Sequence, residues 1–324
     1  MKIDGGLDIK VKTESGQTYA RIPATGVPPV RAQSRTWGKL RELVERIGGA
    51  ADHFLVVQRI PDRPLVFIQT ARDGDGAYDL QHRTGRVPHM WVARVTDPGL
   101  VAEVMVRWAR QEDGWDAGVT WGREEFGLPE EAPALAAEVA ARAEEYVREL
   151  LRDGYLGIEA MIRETVYLME DGEGASPVSR EQAREIVERL WLDRLDEQDK
   201  WAEPTGPDRL EQAFAALEDA GMVAREDFAC CRGCGLTEIG AEADGKPGVR
   251  GFVFFHHQGT RGAAQGHGLS LYYGGFDGSE ETTKAVGHEV VAAPAAAGLS
   301  AQWDGDPGRS IDVAPLEWHK RLVG

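Results

Sequence analysis

Cysteine is almost absent from this chain. Its 324 residues hold three, Cys230, Cys231 and Cys234, all within the stretch FACCRGCGLTEIG. Three thiols cannot all pair inside one chain, which argues against a secreted framework held by disulfides. Basic charge is also short: 37 Lys and Arg stand against 54 Asp and Glu, a formal net charge of −17. Nucleic acid is therefore not expected as a partner, and an anionic membrane surface is disfavoured, because phosphate binding needs a basic face. Long apolar runs are missing; none approaches the roughly 20 residues that cross a bilayer. The opening MKIDGGLDIKVK has no apolar leader core, so the expected compartment is the cytoplasm, where thiols stay reduced. There is no phosphate loop, dinucleotide fingerprint, G-x-S-x-G elbow or H-E-x-x-H pair.

What is present suits a globular protein of two or three units, with 42% hydrophobic and 28% charged residues. The expected fold class is α+β: a β-rich N-terminal module over 1–126, an acidic helical middle over 127–204, and a two-layer α/β C-terminal domain over 205–324. In the first region Leu7, Ile9 and Val11 alternate with Asp8, Lys10 and Lys12, and TYARI can return as the second arm of a hairpin. TWGKLRELVERIGG places Trp37, Leu40, Val44 and Ile47 at helical spacing and ends at Gly48 or Gly49. FLVVQRI, LVFIQTA, AYDLQHR and HMWVARV are strand candidates. Asp97 and Pro98 form the N-cap and first position of a helix striped by Leu100, Val104 and Trp108.

Residues 128–204 carry 20 acids and 9 bases, most of the chain's excess. Leu135, Val139, Tyr146 and Leu150 share a helix face that Gly154 ends. Ile158, Met161, Ile162, Thr165, Val166 and Met169 form the next stripe, and Ser179 with Gln182 fits a capping box. The acid surplus reads better as solvated outer helix faces than as a docking face for a basic partner. In the third region DRLEQAFAALEDAG is an amphipathic helix, and MVARED, RGFVFFHHQ and LSLYYGGF are strands. ETTKAVGHEVVAAPAAAG is helical, and SAQWDGDPGRSIDVAP is a hairpin with DGDPG at its tip.

A helix from about Cys231 to Ala241 would put Cys231 and Cys234 on one face, with Cys230 nearly aligned and Glu238 one turn on. Three readings of the cluster stay open. Small apolar thiols can pack a helix–sheet junction, with Gly233 and Gly235 allowing close approach. Zinc is the second: Cys230, Cys231 and Cys234 supply at most three ligands, and His256, His257 or His267 would complete a tetrahedron. Alternation along the strand sends His256 and His257 to opposite faces, so only one could serve. Thiol redox is the third, since Cys231-Arg232-Gly233-Cys234 resembles the thioredoxin arrangement, although Pro247 suits its cis-proline poorly. Candidate catalytic residues on these readings are Cys231, Cys234, Glu238 and His256. DGDG at 73–76 and DGDPG at 304–308 resemble calcium loops but lack the later ligands, and read as turns. His82 and His89 flank a turn and read as a chance pair. Trp303 and Trp318 can line a pocket or simply be buried.

The runs LEQAFAALEDAGMVAREDFACCRGCGLTEIG, RGFVFFHHQGT and GLSAQWDGDPGRSIDV together resemble the C-terminal domain of a bacterial family, common in actinobacteria, described only as a domain of unknown function. The resemblance spans roughly the last third of the chain and implies no activity. Two residues depart from the pattern: Gly259 stands where an acid is usual, and Pro294 where leucine is usual, so that helix should kink or end early. The strand order and HMWVARV of the N-terminal region resemble small bacterial toxin-immunity proteins. The expected function is a non-catalytic protein that binds a protein partner in an immunity or stress setting, its cysteines structural. The alternative is a zinc- or thiol-dependent enzyme using the cysteine and histidine residues. Oligomeric state is not legible.

Overall fold

The structure is a computed structural model that describes residues 7–13, 16–22, 33–48, 53–72, 76–128, 131–170, 174–246 and 248–322. The side chains of Leu7, Ile9, Val11 and Trp37, together with Gly49, Asp73, Asp75 and Pro247, lie outside the described residues. The chain divides into two compact units, one within Lys2–Ala134 and the other Leu135–Leu322.

The first unit is a seven-stranded antiparallel sheet with two helices. Its elements are β1 Leu7–Thr13, β2 Gly16–Ile22, α1 Gln33–Arg46, β3 Phe54–Arg59, β4 Val66–Arg72, β5 Tyr78–Thr84, β6 His89–Val95, α2 Pro98–Ala109 and β7 Gly122–Glu125. The strand order is β2-β1-β3-β4-β5-β6-β7. The expected hairpin of the first two strands is present, with Leu7 opposite Ile22. Alternation places Leu55, Val57, Ile68 and Leu80 in a core shared with Leu40, Val44 and Ile47 of α1 and Val101, Val104, Met105 and Trp108 of α2. Asp97 caps α2 as expected, its side chain accepting from the Gly99 N–H at 2.8 Å. The short edge strand β7 is all exposed and carries no apolar pattern, so periodicity does not find it.

His82 and His89 prove more than neighbours of a turn. His82 is buried, with Trp115 and Trp121 edge-on at 4.9 and 4.7 Å, and His89 meets Trp91 edge-on at 5.7 Å. Burial pushes the His82 imidazole down to about 4, offset in part by Asp116. An unfolded chain would protonate that ring near its ordinary 6.5. The unfolded state thus binds the extra proton between these two values, and stability is lost as pH falls through that window. The loss should reach about 3 kcal/mol. Urea unfolding of the full chain and of His82→Leu at pH 7 and pH 4.5 checks this. The wild type should lose more stability than the variant, and equal losses would rule the effect out.

The second unit begins with three helices, α3 Ala137–Asp153, α4 Ile158–Leu168 and α5 Arg180–Gln198. Gly154 ends α3 in the left-handed region at φ 85°, and the Ser179–Gln182 capping box opens α5. Val147, Leu150, Met161, Ile162, Val187, Leu190 and Trp191 form their core. The surplus acids lie largely on outer faces in exposed pairs such as Arg148–Glu144 at 2.7 Å and Arg180–Glu159 at 2.8 Å, each contributing little.

The α/β region follows with α6 Gly206–Asp219, β8 Met222–Arg225, α7 Arg232–Glu238, a 3-10 turn Ile239–Ala243, β9 Gly251–Phe254, α8 His257–Ala264, β10 Leu269–Gly275, α9 Glu280–Ala296, β11 Ala301–Gln302 and β12 Ile311–Val313. The sheet order is β11-β12-β10-β9-β8, antiparallel except for the parallel pair β8–β9. One face carries Met222, Ala224, Val253, Leu271 and Tyr273 against Leu210, Phe214, Val286 and Val290 of α6 and α9. The other carries Val223, Phe252, Phe254 and Tyr272 beneath Ile239.

Three expectations change. RGFVFFHHQ is a strand only to Phe254; His256 is the N-cap of α8, a helix that the glycine-rich HQGTRGAA conceals from propensity. The α9 helix runs two residues past Pro294, whose ring sits on its buried face in the last turn. The boundary expected near residue 204 does not separate two bodies, because the chain's end returns to the middle helices. Trp318 Nε1 donates to the Asp153 carbonyl at 3.2 Å, and the Leu322 N–H donates to Gln198 Oε1 at 2.8 Å.

A charged tie reinforces that union. Arg261 of α8 donates to both oxygens of Asp153, at 2.9 and 3.1 Å, and to Glu149 at 2.5 Å. Removing the guanidinium would strand two half-buried carboxylates, so Arg261→Ala should cost about 2–3 kcal/mol. Thermal unfolding monitored in the full chain should show the loss. A Arg261→Ala variant as stable as wild type would mean the tie is mere surface pairing.

Candidate functional site

The cysteine segment is positioned by the parallel pair. β8 aligns Arg225 with Phe254 of β9, and the chain then keeps step with residues 255–257. The Phe228 N–H donates to the Phe255 carbonyl at 2.7 Å, and the His257 N–H donates to the Ala229 carbonyl at 3.1 Å. Between these bonds Asp227 and Ala229 adopt φ of 48° and 60°, a left-handed turn that costs an alanine about 1–2 kcal/mol. Cys231 is then the N-cap of α7, its carbonyl accepting from the Gly235 N–H at 3.0 Å.

Gly235, rather than a thiol, is the residue packed against the sheet. It is buried, and a Cβ there would lie 2.3 Å from Cε2 of Phe254. Ile239, one turn on, packs with Val223 and Phe254. With that face of α7 held down, the thiols keep part of their surface open to solvent: Cys230 is exposed, and Cys231 and Cys234 are half-buried.

The three Sγ atoms lie within 4.8 Å of one another, and among the described residues they form a group that can hold a metal ion. Tetrahedral ligation at about 2.3 Å brings sulfurs to about 3.8 Å apart, so a small closure would suffice. The thiols are not equivalent. The backbone N–H of Cys234 faces Cys231, too loosely for a full cap hydrogen bond, and with the neighbouring thiols holds Cys231 below the usual thiol range. Cys234 is pushed up to about 11, first by Cys230 and then by Cys231.

The other expected ligands are elsewhere engaged. His256 is buried, its Nδ1 accepting from the Gly259 N–H at 3.0 Å and its ring stacked on Tyr272 at 5.3 Å. Burial pushes its imidazole down. His257 is exposed, with Nε2 3.6 Å from Asp227 Oδ2. Neither histidine joins the thiol group, nor does Glu238, exposed at the far end of α7. His267 is exposed between α8 and β10.

Two hollows flank the cysteine segment. A cleft of about 460 Å³ lies between α3, α4 and α8, lined by Tyr146, Asp153, Tyr155, Glu164, Asp227 and Arg261 among others. Burial raises both Asp153 and Asp227, against the pull of Arg261 on the first and of Thr260 on the second. Tyr155 donates to Glu226 at 2.6 Å, which also pairs with Lys320 at 3.1 Å. Sequence reasoning missed Asp153, Asp227 and Arg261, since their partners lie far off in the chain. The only local signal was Asp-Phe-Ala ahead of the cysteines, where aspartate tolerates a left-handed backbone. On the other side, an open pocket of about 630 Å³ has Arg232, Tyr272, Trp303 and Asp312 in its wall.

The contrast between two glycines tests the packing. Gly235→Ala should destabilise the second unit by about 1–3 kcal/mol through overlap with Phe254. Gly233→Ala meets nothing within 4 Å and should be tolerated. Denaturant unfolding of the two variants checks this; similar stabilities would show that α7 does not rest on Phe254.

Comparison with known proteins adds one assignment. A family model, Domain of unknown function (DUF6891), matches residues 136–322, more than half of the chain and nearly all of the second unit. No curated protein and no solved structure matches. The helical middle, the cysteine segment and the tail that returns to α5 thus fall inside one family domain, and the chain belongs to the DUF6891 family.

Proposed function

We propose that the second unit is a zinc-binding module in which Cys230, Cys231 and Cys234 supply three thiolates and the fourth position stays open to solvent or ligand. The convergence of the three sulfurs within 4.8 Å of one another carries this reading. Zinc prefers thiolate and imidazole ligands, and structural sites close with four of them. Here the imidazoles of His256 and His257 face other partners, so three protein ligands are the full set offered by the group. Three ligands plus an open place is the arrangement in which zinc exchanges ligands or activates one. The lowered Cys231 thiol favours loss of its proton to a metal, and zinc would draw down Cys234 as well.

A second reading rests on the inequality of Cys231 and Cys234. A low thiol paired with a high one, three residues apart, is also the pattern of an attacking and a resolving cysteine. Metal analysis with native thiol counting separates the two. The zinc reading predicts one equivalent of zinc and slow thiol labelling in the purified full chain, both lost in Cys231→Ser and Cys234→Ser. Zinc-free protein with one fast-reacting thiol would favour redox chemistry, and zinc-free protein with three freely reacting thiols would remove both.

A further inference from the structure

The cleft between α3, α4 and α8 has a volume of about 460 Å³, in the range of small-molecule sites. Leu150, Leu156 and the rings of Tyr146 and Tyr155 give it apolar walls. Three carboxylates open onto those walls: Asp153 of α3, Glu164 of α4 and Asp227 from the left-handed turn after β8. None of the three cysteines lines it, so what it binds is independent of the zinc reading.

The strong cations in and beside the cleft are already engaged. Arg261 donates to Asp153 and to Glu149, so two carboxylates share its single charge. Lys320 pairs with Glu226 at 3.1 Å, the same carboxylate that accepts from Tyr155. Asp227 is left with the Thr260 hydroxyl on Oδ1 and with His257 Nε2 at 3.6 Å from Oδ2, too far for a hydrogen bond. Its side chain is only 17% exposed. Glu164 forms neither an ion pair nor a hydrogen bond with a described residue, and the Tyr146 hydroxyl forms no hydrogen bond with one. The two groups are close, since burial and then the Glu164 charge push that hydroxyl up to about 12.

Burying a carboxylate without a cation is unfavourable, which is why burial raises Asp227. A cation brought into the cleft would relieve that cost. A metal ion would have to give up its water shell against leucine and tyrosine walls, whereas a cation on a carbon chain matches both the charge and the apolar surface.

We propose that this cleft binds a small aliphatic amine in its ammonium form. Asp227 and Glu164 supply the negative charge that the ammonium answers, the Tyr146 hydroxyl adds a hydrogen-bonding group, and Leu150, Leu156 and Tyr155 flank the carbon chain.

Calorimetric titration of the full chain at low salt tests this with three five-carbon probes: pentylamine, 1-pentanol and pentanoate. Pentylamine should bind about tenfold or more tighter than 1-pentanol, because it alone adds charge-assisted hydrogen bonds to carboxylates. Pentanoate should bind no better than the alcohol. Asp227→Asn should weaken pentylamine about tenfold and leave 1-pentanol unchanged. Asparagine tolerates the left-handed backbone at φ 48°, so this variant should fold. Glu164→Gln, on a different element, should weaken pentylamine in the same direction, and it serves if the change at Asp227 unsettles its turn. Glu281→Gln, exposed in the first turn of α9 and outside the cleft, should bind all three probes as wild type does. Absent pentylamine binding, or equal binding of pentylamine and 1-pentanol, would overturn the assignment. So would normal amine binding by folded Asp227→Asn and Glu164→Gln chains, or an equal loss in Glu281→Gln, which would trace the binding to the chain's general acidity. No readout involves zinc, so this titration and the metal analysis succeed or fail separately.

Discussion

Phe254 lies directly beneath Gly235, and the placement of the thiols follows from that contact. A side chain at 235 would collide with the phenyl ring, so glycine lets the short α7 helix settle onto the sheet. Ile239 holds down the next turn over Val223 and the same ring. Cys231 starts the same stripe four residues before Gly235 and is half-buried, as is Cys234, with Cys230 exposed just before the helix. The three sulfurs gather at the start of this seated helix, within 4.8 Å of one another. Gly235 and Ile239 make its packing against Phe254.

The segment ahead of that helix faces two ways. Its left-handed residues, Asp227 and Ala229, turn one side chain into the cleft beside α3 and α8 and hand the chain on to Cys230. Backbone bonds to Phe255 and His257 hold it in register with the end of β9. The cleft and the thiols are therefore fixed by one short stretch of chain. Arg261 and Asp153 line that cleft, and Arg261 joins α8 to the middle helices through Asp153 and Glu149. That junction is why the acidic helices and the α/β region form one unit, and why the family match begins at the first of those helices rather than near residue 205.

Much of this architecture was legible in the residues. Period-two alternation located β3 to β6, and Asp97-Pro98 and Ser179–Gln182 marked helix starts where caps occur. The C-terminal resemblance anticipated a domain of unknown function, although the family model extends further toward the N-terminus. The glycines of α8 hide it from propensity, and alternation makes strand residues of the two histidines that in fact open that helix. Proximity of the cysteines in sequence correctly marked the cluster. Its partial exposure does not follow from sequence, because a glycine beside thiols fits thiol packing as well as it fits its own seat on Phe254. The cleft was illegible for a different reason: Asp153, Asp227 and Arg261 come together only through tertiary contacts, and no spacing rule connects residues so far apart.

The central claim is that pinning α7 by Gly235 and Phe254 leaves a three-sulfur site with one position open. X-ray absorption at the zinc edge of the purified full chain reads the ligand set directly. The account predicts three sulfur neighbours at about 2.3 Å and one lighter oxygen or nitrogen neighbour. Four sulfurs, two sulfurs with two histidines, or a spectrum without thiolate ligation would contradict it.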